Sequence, residues 1–341
     1  MERTHGGDWA GFAARYGREP LDFSASISPL SIPEGVKEAI CLAAAQADRY
    51  PDPRCTRLRT AIGQAQGVDP DMVLCGNGAA ELIWRAVLAQ KPRHALITAP
   101  SFGEYEAALT AWGCQVEKYP LDEDFRLDRG FLDRAVQADL VLVSQPNSPS
   151  GVTLSPGLVK DLAHLGTRLL LDECFVDFLD QPERYTGRGY LRSCPQLVIL
   201  GAFTKLYGMA GVRLGYALSA DRDFLAQMGR MGPPWSVSHL AQAAGLAALE
   251  EGDYGTQVRA LVREERPRLL AGLEELGLRV VPGEANFLLF QSPVPLEEAL
   301  GERGILLRRC DSLTGFWYRA AVRQGWENEL LLKDLREVLT K

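Results

Sequence analysis

The chain has 341 residues, with 37 lysines and arginines against 44 aspartates and glutamates, and a formal net charge of −7. Hydrophobic residues make up 46% and charged residues 24%, which is ordinary for a globular protein and excludes disordered, collagen-like and coiled-coil classes. The mild negative charge argues against nucleic acid or an anionic membrane as the main partner. Any anionic ligand must therefore be held by cations that are placed locally.

The cysteines and the distribution of apolar residues indicate the cellular compartment of the protein. The seven cysteines form no C-x-x-C pair and their number is odd, which disfavours a disulfide framework or a zinc site and favours a reducing environment. The first eight residues lack the apolar core of a signal peptide, and no apolar run approaches the roughly 20 residues that span a bilayer. We therefore expect a cytoplasmic protein with no membrane segment and no metal site.

The first two thirds of the chain alternate between short β-rich runs and helical patterns. Residues 23–33, with two prolines and four serines, predict a loop, and Pro33 then opens a helical pattern to about residue 47. The β-rich runs are 72–75, 95–98, 115–119, 140–143, 169–171 and 198–200. The helical patterns between them include 80–90, 102–111, 127–136 and 156–165. Strands that are apolar on both faces and alternate with helices predict a mostly parallel sheet covered by helices.

The pattern changes after residue 216. A joint at Gly232-Pro233-Pro234 precedes a long helical region, three strand patterns and a final helix; these are 238–276, 279–282, 287–290, 316–322 and 327–339. The sequence therefore predicts an α/β protein with a second, smaller α+β domain. The expected parts are an N-terminal arm with the start of the small domain over 1–45, a large domain over 46–232, and a small C-terminal domain over 233–341.

In open α/β sheets, ligands bind at the carboxyl ends of the strands. The segment 76–79, Gly-Asn-Gly-Ala, follows the first strand and opens a helix, so its free amides form a candidate phosphate cradle. Glu81 stands where a dinucleotide fingerprint needs glycine, which disfavours NAD. Phe102 follows the next strand, where an aromatic ring either stacks on a flat ligand or packs under a loop.

The later strands end in polar and charged residues. The turn 146–151 is polar, and Asp172 ends a buried strand, where a carboxylate is unfavourable unless it is paired. Lys205 follows a strand among apolar neighbours, with Thr204 and Arg213 close in sequence. A partly desolvated lysine beside another cation has a lowered pKa, which suits Schiff-base chemistry. An amide cradle, a stacking aromatic, a buried carboxylate and such a lysine together predict pyridoxal phosphate as the cofactor.

The order and spacing of these elements, from Tyr50 to Arg319, resemble the class I/II group of the fold-type I aminotransferases. The resemblance implies that Lys205 forms the Schiff base with the cofactor and that Asp172 pairs with the pyridine nitrogen. Phe102 matches the aromatic residue that stacks on the ring. The large domain would then bind the cofactor, and the small domain would supply the arginines that bind substrate.

The resemblance also implies how the phosphate and the substrate are held. The residues that match the phosphate cup of the family are Gly78, Ala79, Thr204 and Arg213. Tyr50, in an Arg-Tyr-Pro segment, matches a tyrosine that reaches the cofactor phosphate of the partner subunit, which implies a homodimer. Arg319 matches the arginine that binds the substrate α-carboxylate, a bidentate task that suits guanidinium geometry.

Two subgroups of the family share further motifs with the chain: the threonine-phosphate decarboxylases of cobalamin biosynthesis and the histidinol-phosphate aminotransferases. The decarboxylases are favoured by His5-Gly6-Gly7 and by the segments 21–30, 172–178 and 234–237. Both subgroups bind a phosphorylated substrate. Arg308 matches the arginine that the resemblance assigns to the substrate phosphate, His5 would fold in from the arm, and Arg323 is a further candidate. Ser26, also assigned to the substrate site, and Ser28 stand in the arm where the decarboxylases tend to carry asparagines. The expected reaction is decarboxylation of L-threonine O-3-phosphate to (R)-1-amino-2-propanol O-2-phosphate.

The chain also departs from the family pattern beside the cofactor. Ser148 follows Asn147 where the family usually has a second asparagine that contacts the phenolic oxygen, and Phe175 replaces a tyrosine that contacts the same atom. Three alternatives therefore stay open: a histidinol-phosphate or related amino-acid aminotransferase, a decarboxylase of serine phosphate, and a non-catalytic regulator that binds pyridoxal phosphate. The complete set of Lys205, Asp172 and Arg319 disfavours the regulator.

Overall fold

The computed structural model describes residues 5–340. Its α-helices are α1 (Trp9–Tyr16), α2 (Glu34–Ala44), α3 (Thr56–Gln66), α4 (Gly78–Gln90), α5 (Gly103–Trp112), α6 (Gly130–Ala135), α7 (Pro156–Ala163), α8 (Pro182–Tyr185), α9 (Phe203–Leu206), α10 (Arg222–Arg230), α11 (His239–Glu250), α12 (Tyr254–Glu275), α13 (Glu297–Gly301) and α14 (Gly325–Leu339). Its strands are β1 (Leu21–Asp22), β2 (Val73–Gly76), β3 (His94–Ala99), β4 (Gln115–Pro120), β5 (Leu140–Ser144), β6 (Arg168–Asp172), β7 (Leu197–Ala202), β8 (Gly215–Leu218), β9 (Arg279–Val281), β10 (Phe287–Ser292), β11 (Ile305–Leu306), β12 (Arg308–Arg309) and β13 (Phe316–Ala321).

The large sheet has seven strands in the order β2-β8-β7-β6-β5-β3-β4. Strands β4, β3, β5, β6 and β7 run parallel, and β8 is antiparallel to both of its neighbours. Every residue of β5 and β6 is buried, because apolar helices cover both faces of the sheet. The predicted mostly parallel sheet covered by helices is confirmed.

A second, smaller sheet is antiparallel, and its four strands have the order β12-β13-β10-β9. Helices α12 and α14 pack on it around a separate apolar core. The N-terminal arm joins this part of the molecule, because β1 pairs in parallel with β11. The predicted domain boundaries at 45/46 and 232/233 stay a prediction. Residues 1–4 of the predicted arm and residue 341 of the predicted small domain lie outside the described residues.

Some elements differ from the sequence prediction. The long helical region predicted over 238–276 is divided into two helices, since residues 251–253, with Gly252 at their centre, separate α11 from α12. The helix expected over 127–136 is shorter, because the Asp128 side chain accepts a hydrogen bond from the Gly130 N–H at 2.6 Å and closes a turn first. Helix α10 was missed, although Asp221 caps it through the Phe224 N–H.

Three general features bear on the class of protein. Within residues 5–340, no helix combines the length and the apolar character that a membrane crossing needs. The described part of the chain also holds no group of three or more histidine, cysteine or acidic side chains arranged to bind a metal ion. All seven cysteines, each within the described range, are free thiols.

The parallel core predicts a specific stability effect. Leu142 is fully buried in β5, so Leu142→Ala leaves a cavity and should lower the free energy of unfolding by about 2–5 kcal/mol. Urea unfolding followed by circular dichroism measures the change. Val136→Ala is the control, because Val136 is 54% exposed and its truncation should change stability by less than about 0.5 kcal/mol. Equal effects at the two positions would contradict the described core.

Candidate active site

A cavity of about 670 Å³ opens at the carboxyl ends of β5, β6 and β7. Parallel strands bring their ends to one edge of the sheet, so residues far apart in sequence meet there. The sequence-predicted residues that line it are Ala79, Phe102, Ser148, Asp172, Phe175, Thr204, Lys205, Arg213, Arg308 and Arg319. The other lining residues are Ala80, Ser144, Cys174 and Ala202.

A phosphate cup forms at the start of α4. The N-cap residue Asn77 makes no side-chain cap, so the first amides of the helix are not used by it. Gly78 has φ +79°, and a Cβ there would lie 2.7 Å from Arg213 Nη2. A Cβ on Gly215 would lie 2.5 Å from the Ala79 nitrogen. Helix amides and a guanidinium therefore meet in a space that only glycines leave open, which fits a phosphate group.

Lys205 lies in α9, directly after β7, and its carbonyl oxygen accepts a hydrogen bond from the Ser28 N–H at 2.8 Å. Burial, together with the positive charges of Arg319, Arg308 and Arg213, lowers the pKa of Lys205 from its ordinary 10.5 to about 8. A buried amine with this pKa is partly neutral near pH 7–8. It therefore has the nucleophilic form that Schiff-base chemistry needs.

Asp172 ends β6 with both carboxylate oxygens directed by neighbours. The Tyr105 hydroxyl donates to Oδ2 at 2.7 Å, and the Cys174 N–H donates to Oδ1 at 3.0 Å. Burial, together with the Asp172 charge, raises the pKa of Tyr105, so the phenol keeps the proton that it donates. Sequence reasoning missed Tyr105, although its position three residues after Phe102 on α5 places both rings on one helix face.

The polar turn after β5 supplies Ser148 to the cavity but turns Asn147 away from it. Ser148 Oγ accepts a hydrogen bond from Arg319 Nη1 at 3.1 Å, which leaves its own hydrogen for an acceptor in the cavity. Asn147 instead donates from Nδ2 to Ser150 Oγ at 2.9 Å, inside the turn. Phe175, which also lines the cavity, has only an apolar ring to offer.

Two arginines face the cavity from the small sheet. Arg308 and Arg319 are direct partners in the β12–β13 ladder, so their side chains lie on the same face. Burial and the neighbouring Arg308 lower the pKa of Arg319, and burial lowers the pKa of Arg308. Among the described residues, the Arg308 guanidinium makes no hydrogen bond and no ion pair, and it lines the cavity. The two guanidinium groups therefore suit a ligand with two anionic groups.

The remaining sequence-predicted residues lie outside this cavity. Tyr50 is 80% exposed and its ring lies 4.6 Å from that of Trp235. Ser26 is buried, and its Oγ has no hydrogen-bond partner among residues 5–340. Arg323 forms an ion pair with Glu327 at 2.6 Å, one turn along at the start of α14. A role of Arg323 in substrate binding stays a prediction.

His5 lies beside the cavity, at a groove that opens into it. The groove and the cavity share Ser148 and Arg308. His5 Nε2 lies 2.9 Å from Glu104 Oε1, and its ring centroid lies 5.9 Å from that of Phe102. His5 and Arg308 therefore line the same groove, and a shared role in substrate binding stays a prediction.

The lowered pKa of Lys205 provides a test of the cavity. Arg319→Met removes the charge that contributes most to the lowering after burial, so the pKa of Lys205 should rise above about 8. The rate at which cofactor-free protein forms a Schiff base with pyridoxal phosphate reports this pKa, because only the neutral amine reacts. The pH at half-maximal rate should shift upward. Arg309→Met, outside the cavity lining, is the control, and an equal shift there would contradict the assignment.

Comparison with known proteins identifies the family. The chain matches the aminotransferase class I and II family over residues 18–324. It is 35% identical to a threonine-phosphate decarboxylase of Salmonella typhimurium, over 99% of this chain and 97% of the relative. It is also 35% identical to a histidinol-phosphate aminotransferase of an Anaeromyxobacter species, over 87% of this chain and 85% of the relative.

Solved structures share the fold. A histidinol-phosphate aminotransferase of Clostridium acetobutylicum superposes with a TM-score of 0.86 at 27% identity, covering 93% of this chain and 98% of that one. Another, of Sinorhizobium meliloti in complex with pyridoxal-5'-phosphate, has a TM-score of 0.89 at 23% identity, covering 98% and 95%. Lysine, aspartate and phosphate cup in this chain fit that cofactor. The chain belongs to the class I and II aminotransferase family of pyridoxal-phosphate-dependent, fold-type I enzymes.

Proposed function

We propose that this enzyme decarboxylates L-threonine O-3-phosphate to (R)-1-amino-2-propanol O-2-phosphate, a step of cobalamin biosynthesis. The observation that carries the proposal is the pair formed by Arg319, which is buried, and Arg308, which is partly buried, side by side on adjacent strands. Threonine phosphate presents a carboxylate and a phosphate in one small molecule. Histidinol phosphate has a phosphate and no carboxylate, so it leaves one of the two guanidinium groups without an anion.

The extent of the sequence match supports the same reading. At equal identity, the Salmonella decarboxylase matches 99% of this chain, whereas the Anaeromyxobacter aminotransferase matches 87%. The decarboxylase match therefore takes in nearly all of the termini. The arm that carries His5 lies at one of them, beside Arg308 and the groove.

In the proposed reaction, the chain binds and orients the substrate at two points. Pyridoxal phosphate, when bound, supplies a sink for the electron pair released at Cα. Arg319 holds the carboxylate end and Arg308 the phosphate end, so rotation about the bonds to Cα is fixed and one bond is selected for cleavage. The bond from Cα to the carboxylate breaks, carbon dioxide leaves, and Lys205 Nζ places a proton on Cα. A lysine pKa of about 8 suits proton transfer near neutral pH.

Transamination of histidinol phosphate is the second candidate. It is favoured by several histidinol-phosphate aminotransferases that are 30–35% identical to the chain. In that reaction Lys205 would remove a proton from Cα, and the carboxylate would not leave. Decarboxylation of serine phosphate is a third candidate, which the same two arginines would accommodate.

The proposal includes a homodimer in the cytoplasm. Tyr50 and Trp235 form an exposed aromatic pair, with Tyr50 80% and Trp235 43% exposed, on the outside of the chain. Exposed apolar rings in contact are typical of surfaces that another chain covers. A second copy would bring its Tyr50 towards the cofactor phosphate of this chain. Free thiols at all seven cysteines, each within the described residues, support a reducing compartment.

A direct assay separates the candidates. The enzyme loaded with pyridoxal phosphate is incubated with L-threonine O-3-phosphate, with L-serine O-phosphate, or with histidinol phosphate and 2-oxoglutarate. We expect release of carbon dioxide and 1-amino-2-propanol phosphate from the first mixture, because this substrate presents one anionic group to each of the two arginines. Formation of glutamate from the third mixture, without carbon dioxide from the first, would contradict the proposal.

Arg308→Met tests the phosphate site. Losing one charge-assisted contact to the substrate phosphate should raise KM for L-threonine O-3-phosphate by about tenfold or more, with a smaller effect on kcat. Unphosphorylated L-threonine should react equally slowly with both enzymes, because it has no phosphate to lose. Arg309→Met is the matched control, since Arg309 is paired with Glu297 at 3.0 Å and lies outside the cavity. An unchanged KM in Arg308→Met would show that the phosphate binds elsewhere.

A further inference from the structure

The N-terminal arm has a defined place over the groove because two glycines let it lie against Ser24. A Cβ on Gly6 would fall 2.2 Å from the Ser24 carbonyl oxygen. Gly7 has φ +87°, and its N–H donates to Ser24 Oγ at 2.7 Å. Ser24 Oγ in turn donates to Asp22 Oδ1 at 2.6 Å. These contacts of Gly6 and Gly7 with Ser24 therefore fix the position of the backbone next to His5.

Glu104 meets the arm from the opposite side. Its carboxylate is largely buried, with 7% of the residue exposed. The Trp84 Nε1–H donates to Oε2 at 3.0 Å, and His5 Nε2 lies 2.9 Å from Oε1. Trp84 belongs to α4, the helix that starts at the phosphate cup, and Glu104 belongs to α5. One carboxylate therefore connects the rigid large domain to the arm.

The chemistry of this pair dictates how His5 can bind an anion. An ionised carboxylate only accepts hydrogen bonds, so Nε2 carries the hydrogen that points at Glu104. Nδ1 can then donate to a phosphate only when the ring carries both hydrogens, which is the charged imidazolium. The groove beside it is lined by further charged groups, and these are Arg308, Arg309, Glu106 and Asp311.

We propose that Glu104 is the positioning residue of the substrate-phosphate site: it holds His5 by Nε2 and leaves Nδ1 for the phosphate that Arg308 binds. This inference rests on the proposed function. Because Glu104 acts on the phosphate through His5, its removal weakens phosphate binding when His5 is present and has no effect on it when His5 is absent.

A double-mutant cycle of Glu104→Gln and His5→Ala tests this dependence on His5. The readout is the dissociation constant of L-threonine O-3-phosphate, measured on the cofactor-loaded enzyme from the change in cofactor absorbance on mixing. In the wild-type background, Glu104→Gln should weaken binding by about tenfold, the loss of one charge-assisted hydrogen bond. In the His5→Ala background, the same substitution should leave binding unchanged.

Glu106→Gln is the matched control. Glu106 lies on the same helix, lines the same groove and pairs with Lys118 at 2.7 Å, so its substitution should change the dissociation constant less than about twofold. Equal weakening by Glu104→Gln in both backgrounds would mean a purely structural role and would overturn the inference.

The design separates this inference from the proposed function. Because binding is measured directly, the cycle decides the role of Glu104 whichever reaction follows. A wild-type enzyme that binds threonine phosphate without releasing carbon dioxide would contradict the decarboxylase proposal alone. A wild-type enzyme that does not bind threonine phosphate would overturn both proposals.

Discussion

The arrangement of this active site follows from positive charge concentrated in a buried cavity. Lys205, Arg213, Arg308 and Arg319 line it, and Asp172 is the single acidic side chain among the described lining residues. Buried cations are unfavourable unless anions pair with them, so the cavity is poised for anionic ligands. Burial, together with this positive charge, lowers the pKa of Lys205 and prepares its amine for reaction. A chain of net charge −7 thus binds small anions through local charge alone.

Much of the large domain could be predicted because its determinants are local. Strands such as β5 and β6 are apolar on both faces, and the residues that follow each strand must gather at one edge of the sheet. That is why Asp172, Lys205 and the segment after β2 were found from the sequence. The antiparallel β8 was missed, since its four residues, which begin with Gly215, show little hydrophobic periodicity.

The rest of the site depends on partners that only the folded chain brings together. Tyr105 reaches Asp172, and Glu104 reaches His5, across sequence separations that no local pattern encodes. Arg323 shows the converse. It has the residue type expected of a phosphate ligand, and in the folded chain its guanidinium donates to Glu327 Oε1 at 2.6 Å and to the Asp22 carbonyl oxygen at 3.0 Å. Residue type and strand position therefore identify candidate ligand-binding residues, and the contacts each one makes are known only from the folded chain.

The close approach of Gly215 to Ala79 joins two distant segments of the chain at the phosphate cup. Neither segment alone makes the cup, so the cofactor binds the folded protein and not the unfolded chain. A ligand with that preference stabilises the fold by mass action, by about 2.7 kcal/mol when its free concentration is a hundredfold above its dissociation constant. The supply of pyridoxal phosphate would then determine how long this enzyme survives proteolysis, in addition to its catalytic rate.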